Sequence, residues 1–292
     1  MKKNTTSRKE TSIGMTKKNR IVSIFLTTFF LLLCTLVVFP FFAGVLASFR
    51  PGQELIRRGL SVNLDVTTMT LNNYIYLFTG EHDYFIWFKN SMFLTLITVS
   101  LTLMICYFVA YGLSMYEFRF KNLLFFLVIA TMMVPFEILM LPLYQEMIHL
   151  KLINTTAGVI LPGLCGASTI FFFRQYMRGL PKELLDAGRI DGATEYGICI
   201  KIMLPITKPA FAAMAILSSM GAWNNMLWPL LVYRDKHKFT LPIGLNTLLT
   251  PYGNNYDLLI AGSCFAILPI FIVFLCFQRY FIDGMTVGAV KG

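Results

Sequence analysis

The chain has 292 residues, of which 56% are hydrophobic and only 14% charged, and it carries a formal net charge of +10. A soluble domain needs a more polar surface than this, so the composition excludes one and indicates an integral membrane protein. The basic excess reads as a membrane topology signal, and no nucleic-acid partner is needed to explain it.

Residues 1–20 are polar and basic and are expected to form a loose cytoplasmic tail. The first apolar run, about Ile21 to Ser48, is longer than the core of a cleaved signal. Leu31-Leu32-Leu33-Cys34 also lacks the small residue that precedes a lipidated cysteine, so the run (21–48) reads as an uncleaved anchor. An extracellular loop over 49–89 is long enough to cap a cavity or touch a partner. The core, 90–281, opens with a second span, Ser91 to Leu113. The third span, Leu123 to Tyr144, contains Pro135, which removes a backbone hydrogen bond and is expected to kink the helix. Two residues on, Glu137 is an acid inside an apolar run and therefore a functional candidate. It has three readings: an acceptor for sugar hydroxyls, a partner for a residue on a neighbouring helix, or the coupling acid of an ion-driven transporter. The fourth span runs from Thr156 to Tyr176.

The next segment, PKELLDAGRIDGATEYGICIKIMLP from Pro181 to Pro205, is small-residue-rich and charged between two apolar runs. Pro181 suits the first turn of a helix, where its missing N–H is no loss, and Lys182 to Arg189 offers about two turns. Asp191-Gly192 reads as a turn, and Thr194 as an N-cap. Thr194 to Leu204 reads as a second helix, with Ile198 and Ile202 on one face. Ala187, Gly188 and Gly192 leave little side chain to hold a partner away, while Glu183, Asp186 and Asp191 charge the surface. Two such helices make a knob within a loop spanning 177–208; the plain alternative is an interfacial helical hairpin.

The fifth span, Ala210 to Val232, carries Trp223-Asn224-Asn225 and Trp228-Pro229. An amide facing lipid is expensive, so these face protein or a wet cavity. Amides donate to and accept from hydroxyls, and an indole face packs on the apolar face of a sugar ring, which makes Trp223, Asn224 and Asn225 candidates for lining a sugar path. The alternative is that the asparagines join helices and Trp228 anchors at the interface. The outer loop Tyr233 to Asp257 contains LPIGLNTLLTPYGNNYD, rich in turn formers. There Tyr252 and Asn254 are candidates for contact with a sugar or partner, or are simply solvated. The sixth span, Leu258 to Phe281, leads into a short tail, 282–292. Each of the six runs has the roughly 20 residues that cross a hydrocarbon core, and helices satisfy their backbone internally, so the expected fold class is an all-α integral membrane protein with six transmembrane helices.

With the amino terminus inside, 17 of the 25 basic residues fall on the cytoplasmic side, among them Lys2, Lys17, Arg119, Arg174, Lys182, Arg189 and Lys208. Both termini and the knob are then cytoplasmic. Enzyme chemistry is missing. His82, His149 and His237 are scattered over outer loops without metal-ligand spacing, and the six cysteines form no CxxC pair and read as structural thiols. Gly192 and Gly197 have the glycine spacing of a phosphate-binding loop. Ile198 and Cys199, however, stand where Lys and Ser or Thr must grip phosphate and magnesium, so any ATP is bound by another chain.

Asp186-Ala187-Gly188, then Gly192, then Ile202-Met203-Leu204-Pro205 resemble in spacing the cytoplasmic coupling loop of importer permeases driven by a separate ATPase. From about Tyr84 to Gly292, WNNMLWPLLVYRDKHKFTLPIGL and DGMTVGAVKG resemble the second permease of ATP-binding-cassette carbohydrate importers related to the maltose system. PYGNNYD and FFFRQYMRGLPKELLDAGRIDG look more narrowly like the permeases for L-arabinose oligomers. The resemblance implies a type I importer permease fold and a transport role without catalysis. It also implies a homologous second permease as heterodimer partner, two cytoplasmic ATPase subunits holding ATP and Mg, an extracellular solute-binding protein and a sugar substrate. This chain would bind no cofactor itself. It departs from the family's Glu-Ala-Ala wording at Asp186 and Gly188; Asp keeps the charge on a shorter arm, and Gly loosens a helix by about 1 kcal/mol relative to Ala. The tail Gly288 to Gly292 would also reach the ATPase. The rival classes are an ion-coupled secondary transporter using Glu137 and a nontransporting membrane scaffold.

Overall fold

A computed structural model describes residues 17–54, 68–80, 82–250 and 253–289. The long helices are α1 (Lys17–Ser48), α3 (Tyr84–Met115) and the pair α13 (Tyr256–Ala266) and α14 (Leu268–Ala289), with the short α2 (Asn72–Thr79) before α3. Three stretches, Arg20–Ser48, Tyr84–Met115 and Tyr256–Arg279, are long and apolar enough to cross a membrane unaided. Three more pass as bent pairs. These are α4 (Lys121–Met132) with α5 (Phe136–His149), bent by 101°, and α6 (Thr156–Ile160, tightening through Gly163) with α7 (Ala167–Arg178), bent by 44°. The third is α9 (Glu195–Ile206) with α10 (Lys208–Trp223), bent by 73°.

Several boundaries differ from the sequence expectation. Lys17 to Arg20 already belong to α1, so the helix begins within the segment expected to be a loose tail. The loop over 49–89 ends early, since α3 begins at Tyr84, whose ring is fully buried and whose hydroxyl donates to Gly262 O at 2.8 Å. Pro135 does more than kink: it sits extended ahead of α5 and divides the third span, while Pro142, the seventh residue of α5, is accommodated. The fifth span is not one helix. It stops at Trp223, is irregular over Asn224 to Met226 and resumes as α11 (Leu227–Val232). Asparagine side chains compete for backbone groups, and Pro229 in the first turn of α11 lacks only an N–H that the first turn leaves unused. The outer segment 233–257 is ordered, carrying α12 (Leu241–Thr247) and a two-residue antiparallel ladder pairing Leu249 with Asn254 and Thr250 with Gly253. At the carboxyl end the helix continues to Ala289, so most of the expected tail 282–292 is helical; residues 290–292 lie outside the described residues.

The span α3 is the axis of the molecule. It packs along α7 and α10, and α10 in turn packs along α14. One apolar cluster joins α3, α7, α8 (Glu183–Ile190), α9 and α10 through Tyr107, Phe173, Leu185, Ile198, Met203 and Met214. A second, at the other end of α3, joins Leu77, Tyr84, Trp87, Trp223, Leu241 and Leu258. Large apolar side chains stay exposed along α1, α4, α5 and α14, as expected of surfaces that face hydrocarbon or another subunit. All six cysteines are free thiols.

Candidate functional site

Two constructions stand out, a knob at one end of α3 and a cavity between broken helices. The knob is α8 and the first turns of α9. Its joint is a Schellman cap: Gly192 takes φ +74°, its N–H donates to Arg189 O at 3.0 Å, and Ala193 N–H donates to Gly188 O at 2.9 Å. Thr194 then caps α9, its hydroxyl accepting from Gly197 N–H at 3.1 Å. Gly188 is buried where a Cβ would meet Ile198 Cγ1 and Ile202 Cδ1, each at 2.9 Å, so the glycine lets the two helices close on each other. Alanine there would gain helix propensity and lose packing in similar measure.

Charges tie the knob together and to the core. Arg189 donates to Asp186 Oδ1 at 3.2 Å and to Glu195 Oε1 at 2.7 Å, and Tyr116 donates to Glu195 Oε2 at 2.5 Å. Lys182 and Lys121 share Glu117, both at 3.1 Å. The Arg189 hydrogen bond, followed by that of Tyr116, holds the Glu195 carboxyl below its ordinary range, and Lys121 and then Lys182 do the same for Glu117. Because these folded-state values are lowered, both contacts are intact at neutral pH and weaken only as the pH falls through the depressed values.

The tip is open. Arg189 to Tyr196 are all exposed, and with Glu183, Asp186 and Asp191 they give the knob an acidic flank and a bare end. Ala187 is exposed beside them, whereas Gly188 faces inward. Sequence reasoning missed Ile190 and Tyr196, 86% and 80% exposed, which flank the Asp191-Gly192 turn. The available signal was a pair of isolated large apolar residues in an otherwise polar, small stretch. Apolar anchors of this kind beside a small-residue turn are what a docking surface supplies. A valine at Gly192 is expected to cost about 1–3 kcal/mol through its backbone conformation, and an asparagine much less, since Asn tolerates the left-handed region. Thermal unfolding of the detergent-solubilised chain checks this; equal midpoints for the two variants would contradict the cap.

The cavity has a volume of about 440 Å³ and is walled by the ends of three interrupted helices. Phe136 and Glu137 come from the start of α5, Pro162 and Gly163 from the end of α6, and Asn224 to Trp228 from the break between α10 and α11. Irregular backbone at membrane depth is tolerated where it lines such a space. Glu137 is exposed in the first turn of α5, where the helix dipole favours an acid. Asn224 closes α10 through its own N–H to Met220 O at 3.1 Å, leaving its side chain on the wall with that of Asn225. Trp228, 2% exposed, donates to Gly158 O at 3.2 Å and stands edge-on to Phe136 at 5.9 Å, so its ring supports the wall.

Glu137, Asn224 and Asn225 thus meet on one surface. Trp223 does not join them: it is 4% exposed, its indole N–H donates to Ala266 O at 3.1 Å and its ring packs edge-on against Phe88. Its expected place in a substrate path is not where the structure puts it: the ring fills a joint between α10 and the α13–α14 corner and is absent from the cavity wall that Asn224 and Asn225 line. Asn254 lies in the two-residue ladder, and Tyr252 lies outside the described residues. No cluster of His, Cys, Asp or Glu suited to a metal occurs among the described residues.

Comparison with known proteins agrees with this layout. The chain is 54% identical over 276 residues to the arabinooligosaccharides transport system permease protein of Halalkalibacterium halodurans, covering 94% of this chain and 99% of that one. It is 53% identical to the protein of the same name from Bacillus subtilis over 93% and 97%, and 32% identical to the lactose transport system permease protein of Rhizobium radiobacter over 88% and 92%. Among solved structures, a chain of a bacterial ABC transporter involved in the import of the acidic polysaccharide alginate superposes with a TM-score of 0.78. At 21% identity, over 91% of this chain and 99% of that one, it shows a shared fold. Residues 103–287 match the model of the binding-protein-dependent transport system inner membrane component. An all-α membrane body with a projecting helical knob, matched along nearly its whole length by permease subunits of ABC transporters, makes this chain a member of the binding-protein-dependent transport system inner membrane component family.

Proposed function

We propose that this permease forms half of the membrane path of an ATP-driven importer for arabino-oligosaccharides. The other half is a homologous second permease, making a heterodimer. Two ATPase subunits, which hold ATP and Mg, seat on the cytoplasmic knobs, and an extracellular binding protein delivers the sugar. The excess of basic residues on the knob side supports cytoplasmic termini. The observation that carries the reading is the convergence of Glu137, Asn224 and Asn225 on one cavity, a set of acceptors and donors suited to sugar hydroxyls. The sugar class rests on the relatives that are 53–54% identical over more than nine-tenths of the chain.

Transport then proceeds by alternating access. ATP binding draws the two knobs together and opens the cavity outward, and hydrolysis returns it inward. Glu183, Asp186, Asp191, Ile190 and Tyr196 are the contacts offered to the ATPase, and the exposed Ala187 and Gly192 allow the close approach, while Gly188 serves the packing of α8 on α9. The ion-coupled alternative built on Glu137 finds no support among the relatives. Glu137→Gln keeps the shape and one acceptor, so it is expected to raise the apparent KM for arabinotriose by about three- to tenfold, the difference between a charged and a neutral hydrogen bond, with ATP-driven uptake retained. Uptake that instead stops, with ATP supplied and the protein present, would return Glu137 to an ion-coupling role.

The substrate assignment is tested by complementing a permease deletion strain and measuring uptake of labelled arabinotriose, maltotriose and lactose. Rescue of arabinotriose uptake in preference to the other two is the expected result. Rescue of maltotriose or lactose alone would overturn the sugar class.

A further inference from the structure

Within the apolar contact between the knob's rear helix and the membrane core, one buried side chain hydrogen-bonds the helix backbone. Tyr107, on α3, is 1% exposed and lies among Phe173 of α7, Phe211 of α10 and Cys199 of α9, with ring centroids 6.0 and 5.0 Å from the two phenylalanines. Its hydroxyl donates to the backbone carbonyl of Cys199 at 2.9 Å. That carbonyl lies in a π-helical stretch, Ile198–Met203, where it also accepts from the N–H of Leu204, so both of its lone pairs are used. A widened turn of this sort is a recurrent mark of a functional site and a weak point in a helix. Immediately beyond it, Thr207 is fully buried at the 73° bend between α9 and α10, and its hydroxyl donates to Met203 O and Leu204 O, both at 3.0 Å.

Left alone, a π-helical segment followed by a bend is a hinge, and a hinge between knob and core absorbs motion. Tyr107 fastens the segment's first turn to α3, and the Thr207 hydroxyl, bonding back to its last turn, braces the bend that follows. We infer that Tyr107, through the Cys199 carbonyl, is a positioning residue that makes knob and transmembrane core move as one body, so that ATPase closure is converted into opening of the cavity. This inference rests on the importer reading above.

The test uses the full complex in proteoliposomes, with its companion permease, ATPase and binding protein, and reads arabinotriose imported per ATP hydrolysed. Tyr107→Phe removes one oxygen from a buried ring. The expected result is a fall of about three- to tenfold in that ratio, the range spanned by one buried hydrogen bond, with hydrolysis, assembled complex and thermal midpoint preserved. Thr207→Val, close in size and without the hydroxyl, should shift the ratio in the same direction. An unchanged ratio in Tyr107→Phe overturns the inference. So does a fall matched by loss of assembled complex, which marks a packing role alone. A wild-type complex that imports no arabinotriose on ATP removes this inference together with the reading beneath it, and that outcome is visible before any variant is compared.

Discussion

Asp186→Arg is expected to abolish sugar uptake while leaving the chain in the membrane at its normal level. Asp186 is exposed on α8 and accepts from Arg189, which also holds Glu195. An arginine at this position removes an acceptor, sets a second guanidinium beside the first and reverses the charge offered to the ATPase. Opposed like charges at an interface cost several kcal/mol, so docking should weaken by roughly a hundredfold or more. The exposed position gives no reason for the fold to suffer. Co-purification of the ATPase and uptake at matched expression report the two effects separately. Normal uptake with Arg at 186 would remove this residue from the coupling surface.

Gly244→Ala should act on folding instead. Gly244 lies in α12 against the Trp87 indole, and a Cβ would occupy the space of ring carbons Cγ, Cδ2 and Cε3. Trp87 is itself 6% exposed and packed among Tyr84, Leu241 and Leu258, so neither partner can withdraw without disturbing the outer cluster. The cost is expected at the upper end of overpacking, about 3 kcal/mol or more. Loss of chain from the membrane fraction, or a lowered midpoint in detergent, would show it. A variant as abundant and as stable as wild type would mean that α12 does not seat on α3 as described.

Much of this organisation is legible in the sequence, and the residues that escape do so for physical reasons. Apolar runs of membrane-spanning length place the spans, because hydropathy reports burial in hydrocarbon directly. The knob is legible because its devices are local: Gly192 for the left-handed joint, Thr194 as cap, and Ile198 and Ile202 as the face against which Gly188 closes. Breaks are harder. Hydropathy does not mark the stop at Trp223 within the run from Ala210 to Val232, since the interruption covers only Asn224 to Met226 and a hydropathy window averages over such a short backbone break.

The site shows the same division. Glu137, Asn224 and Asn225 draw attention because polar groups within apolar runs need partners or water, and all three reach one cavity. Trp223 satisfies the same rule differently, by giving its N–H to Ala266 within the core, and no local pattern separates an indole that lines a path from one that fills a joint. The outer segment reads as loop from its prolines, glycines and asparagines. Pro242 nevertheless sits at the start of α12, and Gly244 is there for packing against Trp87. Tyr107 gives no signal in sequence, being one of many aromatics on an apolar helix; only the placement of Cys199 reveals its use.

In the proposed importer, ATP, through a subunit seated on the knob, drives sugar through a path that this chain helps to form. The most direct test is uptake of labelled arabinotriose by proteoliposomes holding the assembled complex, with ionophores collapsing every ion gradient. Uptake that requires ATP and binding protein and persists under ionophores is the result predicted. Uptake that ignores ATP and disappears with the gradients would contradict the account.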